Sequence, residues 1–184
     1  MNLIDPLKVY LSNSRLKHCI RVAECAKKLA EHYGLNGSDL YNAGMLHDIA
    51  KQQTPELLVK KGLDVSEYND CWAQFPSVWH ALVAEVLIEH ELPGEYAHIF
   101  DCVRYHTTGY ANMSIEAMVL FVSDFIEPER THPDRLKVAD MAYVSLESAV
   151  AWITYVTILK LTKKQLAIHP NTINSWNYYC KYIM

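Results

Sequence analysis

The chain has 184 residues, of which 51% are apolar and 21% are charged, and its formal net charge is −4 at pH 7. These values are typical of one soluble globular domain, and we expect that domain to span residues 1–184. The negative net charge argues against a large basic surface for nucleic acid. No apolar run is long enough for a transmembrane helix, so we expect no membrane partner.

The N-terminal segment and the cysteines indicate the cellular compartment. The segment MNLIDPLKVYL has an acid and a proline early, and it lacks the basic and apolar regions of a signal peptide. The five cysteines are odd in number and contain no Cys-X-X-Cys pair. Both features favour a cytoplasmic protein with reduced thiols.

Helical periodicity dominates the start of the chain. Residues 14–33 place apolar side chains at three- and four-residue steps, with Ser14 as the expected N-cap and Gly34 as the expected stop. A second helix is expected to begin after Ser38 and to carry His47 near its end.

The rest of the chain also favours helices. Thr54-Pro55-Glu56 predicts an N-cap, a first-turn proline and a first-turn acid, for a helix that ends near Gly62. Residues 63–75 are expected to form a loop. No stretch has the two-residue alternation of a sheet, so the sequence predicts one all-α domain. The remaining helices are expected over Pro76–Glu91, from about Glu95, from Ser114, from Pro133 through about Lys160, and from His169-Pro170 to Tyr182.

An adjacent His47-Asp48 pair stands near the end of an apolar helix. Buried imidazole and carboxylate groups lose hydration and need partners. A divalent metal ion provides one, because both groups are good ligands for it. On its own, however, a His-Asp dipeptide is more often a hydrogen-bonded pair, or two unrelated surface residues, than a metal site.

Further ionisable residues lie on apolar helix faces. His18 shares the inner face of the first helix, and Asp124 lies within the apolar segment 119–126. His80 and His106 also follow apolar residues. Each of them alone is typical of a satisfied core residue, and Asp124 alone of a salt bridge to an arginine. Four histidines on separate predicted helices, with two aspartates, are better explained by one shared metal site that supports a hydrolysis.

The order of a histidine, a His-Asp pair and a distant aspartate resembles the HD-domain superfamily of metal-dependent phosphohydrolases. The likeness is closer to its YqeK-type branch, the bacterial symmetrical diadenosine tetraphosphate hydrolases. This resemblance implies a single HD-type helical bundle with a metal site in its core, and cleavage of diadenosine tetraphosphate into two ADP. The resembling segments span nearly the whole chain and are Arg15–His18, Gly44–Lys51, Trp79–Ala81, His106–Gly109, Ser123–Arg130 and Ile168–Thr172.

The resemblance also implies the cofactor and the catalytic residues. Imidazole and carboxylate ligands suit iron, the expected ion, or manganese, cobalt, nickel or zinc, better than calcium. Such a metal lowers the pKa of bound water, and the hydroxide is expected to attack a central phosphorus in line. Asp48 is expected to orient or deprotonate the water, while His80 and His106 hold a second metal or contact phosphate. The implied metal ligands are His18, His47, Asp48 and Asp124.

Other residues are expected to bind the nucleotide. Arg130 is the candidate phosphate clamp because a guanidinium matches phosphate oxygens, with an ion pair to Glu127 or Glu129 as the alternative. Lys51 lies one helical turn past His47, within expected reach of the same phosphates. Residues 169–174 open the last helix, whose free N–H groups suit a phosphate or a base edge. The full substrate-binding set is His18, Lys51, His80, His106, Thr107, Asp124, Arg130, His169, Pro170, Asn171, Thr172, Ile173 and Asn174.

Three other functions stay open on the sequence alone. One is another HD-type phosphohydrolase or phosphodiesterase, although no Gly-Tyr-Pro motif follows the His-Asp pair. The others are a nucleotide-binding sensor without turnover and a structural helical module. A homodimer also stays open, because the aromatic residues in 152–155 and 176–179 can pack either against a partner or in the core.

Overall fold

A computed structural model describes residues 3–183, and helices are the only regular elements in that range. The expected domain limits, residues 1 and 184, lie outside the described residues. The all-α fold predicted from the sequence is confirmed. The α-helices of the described range are α1 (Ile4–Tyr10), α2 (Asn13–His32), α3 (Gly37–Leu46), α4 (Pro55–Lys60), α5 (Asn69–Gln74), α6 (Pro76–Glu91), α7 (Phe100–Tyr105), α8 (Ile115–Ile126), α9 (Arg135–Ala142), α10 (Leu146–Lys163) and α11 (Pro170–Tyr179).

Three helices form the centre of the bundle. α2 packs along α3, and α8 packs against both of them. The close approach of α2 and α3 requires glycine at position 44, because a Cβ there would lie 2.5 Å from the Cα of Ala23. α8 is buried on most sides, with Val119, Leu120 and Val122 fully buried. Polar residues of α8 therefore lie in or beside the protein interior.

The other helices surround this centre. α6 packs on α7 and α7 on α8, whereas α10 contacts α8, α9 and α11. The ring centroid of Tyr155 lies 5.8 Å from that of Trp152 and 5.8 Å from that of Trp176. These aromatic side chains thus pack partly within the chain, and the homodimer stays a prediction. In residues 3–183 no helix combines the length and apolar character needed to cross a membrane.

Two predicted helix starts are displaced by one or two residues. Ser12, not Ser14, caps α2, because its hydroxyl accepts a hydrogen bond from the backbone N–H of Arg15. α3 begins at Gly37 rather than after Ser38, because the Asn36 side chain accepts from the N–H of residue 38. The predicted cap Thr54, the predicted helix start at Ser114 and the predicted helix Pro76–Glu91 are confirmed.

Four longer-range expectations were wrong. Residues 63–75 hold a 3-10 turn and the short helix α5 instead of a loop. The long helix expected from Pro133 to Lys160 is divided into α9 and α10, because Ser145 caps α10 by accepting from the N–H of Ser148. The helix expected near Glu95 begins only at position 100, after a 3-10 turn, and the last α-helix ends at position 179 before a 3-10 turn that reaches Tyr182. α1 was not predicted.

Candidate metal centre

His47 and His106 occupy equivalent places at the C-terminal ends of α3 and α7. The Nδ1 atom of His47 donates to the carbonyl oxygen of Gly44 at 2.6 Å, and that of His106 donates to the carbonyl oxygen of Val103 at 2.7 Å. A carbonyl only accepts, so Nδ1 carries the proton and Nε2 keeps its lone pair in the neutral ring. Each helix end thus satisfies a terminal carbonyl and fixes the orientation of a histidine.

His18 is held at the same ring nitrogen, but by a carboxylate instead of a backbone carbonyl. Its Nδ1 atom lies 3.1 Å from Oε1 of Glu127, which directly follows α8 and is 2% exposed. Burial raises the pKa of Glu127, but hydrogen bonds from Arg21 and from the N–H of Glu129 lower it to about 2. The ionised carboxylate only accepts, so Nδ1 of His18 donates. The Nε2 atom of His18 then faces Asp124, whose Oδ1 lies 3.1 Å away.

The carboxylate of Asp48 bridges two groups of side chains. On one side, its Oδ2 lies 3.4 Å from Nε2 of His47 and 3.6 Å from Nε2 of His18. Nη1 of Arg15 completes this side at 2.9 Å. Burial raises the pKa of Asp48, but the surrounding histidines hold it well below its ordinary value. Asp48 is therefore an ionised carboxylate at neutral pH.

The other oxygen of Asp48 faces a second pair of histidines. Its Oδ1 lies 3.1 Å from Nε2 of His80 and 3.7 Å from Nε2 of His106, and these two nitrogens are 3.2 Å apart. Burial lowers the pKa of both rings, that of His80 to about 4, so both are neutral at neutral pH. Lys51 lies at this end as well, with Nζ 3.2 Å from Nε2 of His80.

The nitrogen atoms of this cluster fit a divalent metal ion. Among the described residues, Nε2 of His18 and Nε2 of His47 are buried and have no hydrogen-bond partner. An unpaired buried nitrogen is costly, and a divalent cation satisfies both lone pairs and the nearby carboxylate charge. The four predicted ligands are thus brought together. In residues 3–183 the triads with ligand atoms within 4.8 Å of one another are His18-His47-Asp124 and His47-Asp48-His106. His80 belongs to neither of these triads.

Arg130 lies at the edge of the cluster, but its partner differs from the one considered in the sequence. Its guanidinium contacts Oδ1 of Asp124 and donates from Nε to the backbone carbonyl of Asp124 at 2.9 Å. The alternative ion pair with Glu127 or Glu129 does not form. Both of those carboxylates pair with Arg21 instead, at 2.7 and 3.1 Å.

A cleft of about 220 Å³ opens beside the cluster. It is bordered by His106 and Asp124, and by Thr107, whose hydroxyl oxygen is buried and has no hydrogen-bond partner in the described part of the chain. The predicted substrate contacts Thr107 and Arg130 therefore adjoin the metal cluster. The complete lining is His106, Thr107, Phe121, Asp124, Phe125, Arg130, His132, Ile153, Val156, Thr157 and Lys160.

Residues 169–174 form the start of α11, as expected. His169 is the N-cap, and its Nδ1 accepts from the N–H of Asn171 at 3.2 Å. Asn171 and Asn174 line a different surface groove, together with Tyr105 and Tyr110. Within residues 3–183 no hydrogen bond or ion pair joins this segment to the cluster, so its role in substrate binding stays a prediction. The remaining residues of this turn are Pro170, Thr172, which is buried, and Ile173, which is exposed.

Three charged residues of the cluster were not among the site residues predicted from the sequence. Arg15 and Arg21 lie three residues before and after His18, so they share its face of α2. Glu127 receives hydrogen bonds from both His18 and Arg21. The i±3 spacing of the two arginines around His18 is the sequence signal that would have found them.

Comparisons with known proteins assign this site to a class. A family model for the HD domain matches residues 15–129, which include all six clustered histidines and aspartates. The chain therefore belongs to the HD domain family, a fold of metal-dependent hydrolases.

Closer relatives narrow the family. The chain is 35% identical over 177 residues to the symmetrical bis(5'-nucleosyl)-tetraphosphatase of Staphylococcus aureus, covering 94% of this chain and 90% of that protein. It is 28% identical to the protein of the same name from Bacillus subtilis, covering 94% and 92%. The crystal structure of a predicted HD superfamily hydrolase involved in NAD metabolism from Clostridium acetobutylicum has the same fold, with a TM-score of 0.85, 26% identity and coverage of 97% and 95%. Within the HD domain family, this chain belongs to the symmetrical bis(5'-nucleosyl)-tetraphosphatases.

Proposed function

We propose that this chain hydrolyses diadenosine tetraphosphate symmetrically to two ADP, using iron bound by His18, His47, Asp48 and Asp124. One observation carries the proposal. Three histidine rings are each held at Nδ1 by an acceptor; the Nε2 atoms of His18 and His47 face both Asp48 and Asp124, and that of His106 faces Asp48. The names of the relatives support the choice of substrate.

The ligand set supports a first-row transition metal. Neutral imidazole and ionised carboxylate groups suit iron, and also manganese, cobalt, nickel or zinc. When bound, the ion supplies Lewis-acid activation of water and of a phosphoryl oxygen. The chain's own side chains bind, orient and neutralise the substrate.

The surrounding residues have separate roles in this proposal. Asp48 stays ionised and accepts a hydrogen bond from the attacking water, which orients it toward a central phosphorus. Arg130 exchanges its contact with Asp124 for a phosphate oxygen, where its planar fork binds two oxygens at once. Lys51 and Thr107 add a cation and an unpaired hydroxyl next to the same cluster. These groups stabilise the charge that develops on the transferred phosphoryl group.

His80 and His106 have two assignments, which metal content distinguishes. Both rings are neutral and their Nε2 atoms face Oδ1 of Asp48, so they fit either a second metal ion or direct contacts with phosphate. Two ions per chain in the purified protein, falling to one in His80→Ala, would assign them to a second metal. One ion per chain in both proteins would assign them to phosphate.

The function is tested by identifying the products. The metal-loaded protein is incubated with a panel of dinucleoside polyphosphates, and the nucleotides are separated by chromatography. We expect two ADP from diadenosine tetraphosphate, in a reaction that a chelator stops. ATP plus AMP would contradict symmetrical cleavage. Tight binding without product would instead support a sensor, and preferred release of phosphate from a mononucleotide would support another HD-type phosphohydrolase.

A further inference from the structure

We propose that the cleft beside the cluster binds one of the two nucleoside diphosphate halves of the substrate, with Lys160 as a phosphate ligand and Phe125 as part of the base-binding wall. The inference rests on the proposed function, because it assigns one part of that substrate. It concerns Phe125 of α8 and Lys160 of α10, which line the cleft and were not assigned a role from the sequence.

The polar groups of the cleft suit an anionic ligand. Lys160 lies in the last turn of α10 and forms no ion pair in the described part of the chain. A lysine in the last turn of a helix interacts favourably with the negative end of the helix dipole, and Lys163 of the same helix makes this interaction as well. Lys160 differs from it because it borders a cleft that also contains Arg130 and the unpaired hydroxyl of Thr107. A phosphate group satisfies all three donors.

The apolar part of the cleft suits a flat base. Phe121, Ile153 and Val156 form its inner surface. The ring of Phe125 lies 4.7 Å from that of His132, at an angle of 53°. Both of these rings line the cleft and are only partly buried, so they can contact a ligand. Any nucleobase stacks readily on such aromatic faces, whichever hydrogen-bonding groups it carries.

The size of the cleft limits the ligand to part of the substrate. Sites for ligands of drug size occupy roughly 300–1,000 Å³. At about 220 Å³ this cleft is too small for a whole dinucleoside tetraphosphate, but it suits one half that is only partly enclosed. The groove of Asn171 and Asn174 has entirely different lining residues. The two halves of the substrate therefore have separate surfaces available, and the half in the cleft has its phosphates beside His106 and Asp124.

Three variants of the full-length, metal-loaded protein test the proposal. The first, Lys160→Ala, removes the free cation, and the second, Phe125→Leu, removes the ring. The third, Lys163→Ala, is the control, because it removes a lysine of the same helix that does not line the cleft. Calorimetry measures the binding of ADP and of pyrophosphate, and a product assay measures kcat and KM for diadenosine tetraphosphate.

We expect Lys160→Ala to weaken ADP binding and to raise KM by about tenfold, with unchanged metal content, because one charge-assisted hydrogen bond is lost. Phe125→Leu should weaken ADP binding but not pyrophosphate binding. ADP affinity and KM equal to those of the Lys163→Ala control would overturn the proposal while turnover persists. If the protein does not cleave diadenosine tetraphosphate but binds ADP in a Lys160-dependent manner, the proposed function fails and the cleft assignment stands.

Discussion

Glu127 is predicted to control metal affinity without contacting the metal. Its buried carboxylate accepts a hydrogen bond from Nδ1 of His18 and so directs Nε2 toward the other ligands. Carboxylates that hold ligand histidines in this way fix the tautomer and raise the basicity of the ring. Replacing the carboxylate should therefore weaken metal binding through His18 alone.

The magnitude follows from the contacts. In Glu127→Ala, Nδ1 of buried His18 loses its acceptor, at a cost of about 1–3 kcal/mol. Arg21 loses one of its two carboxylate partners, but it keeps Glu129 and its side chain is 23% exposed, so part of that interaction is recovered. We expect the free energy of unfolding to fall by about 2–4 kcal/mol. Metal affinity should fall by about 10–100-fold.

The isosteric variant Glu127→Gln separates the hydrogen bond from the charge. The amide oxygen still accepts from His18, so metal affinity should fall less than in the alanine variant. A pKa lowered from 4.5 to about 2 corresponds to about 3 kcal/mol, which is an upper limit because water screens part of the interaction with Arg21. The folded-state pKa is the lower one, so this stabilisation is complete above pH 4.5 and is lost as the pH falls toward 2. The stability difference from wild type should therefore shrink below pH 4.5.

The assay combines urea denaturation with metal titration against a competing chelator. Glu129→Gln is the matched control, because Glu129 pairs with the same Arg21 at 3.1 Å but is 68% exposed and does not contact His18. The control should change stability by less than about 1 kcal/mol and leave metal affinity unchanged. A folded Glu127→Ala protein with wild-type metal affinity would refute the reasoning.

Three further substitutions test the cluster and the fold. Asp124→Ala should abolish both metal content and turnover, whereas the exposed Asp140→Ala should keep both; full activity in the Asp124 variant would disprove the site. Arg130→Ala should raise KM by about tenfold at unchanged metal content, and unchanged kcat and KM would remove its role. Gly44→Ala should destabilise the fold by about 1–3 kcal/mol or more in thermal denaturation, because its Cβ would overlap backbone of α2. Gly37→Ala is its control, since a Cβ there would meet only flexible side chains, and equal melting temperatures of the two variants would contradict this explanation.

Local signals predicted the starts of α4, α6 and α8 correctly, and the larger errors arose where tertiary packing decides. Thr54 and Ser114 cap their helices through bonds to backbone N–H groups three residues ahead, which depend only on neighbouring positions. The break between α9 and α10 was missed because apolar Tyr143 and Val144 continue the helical pattern. Both side chains are exposed in the structure, Val144 at 80%, so their apolar character does not indicate that they are buried on a helix face. α5 and the turn before it are too short to show a period.

The same distinction applies to the metal centre. Histidines and aspartates on apolar faces were visible in the sequence, because each one alone is costly to bury. The partners of the charged residues were not visible. Glu127 lies in an acidic segment that is typical of a surface, and its partner Arg21 is 106 positions away along the chain. The pairing of Arg21 with Glu127 is decided by how α2 packs on α8, and that of Arg130 with Asp124 by the turn that follows α8.

The backbone of the bundle itself favours a cation at this position. His47, His106 and Glu127 each stand directly after the last residue of a helix, namely α3, α7 and α8. The C-terminal end of a helix carries a partial negative charge, and three such ends meet at the cluster. A phosphate placed there alone would be repelled by these ends and by the two aspartates. The same arrangement attracts a divalent cation, which in turn makes the site attractive to phosphate. We therefore expect ordered binding, with the metal first and the nucleotide second.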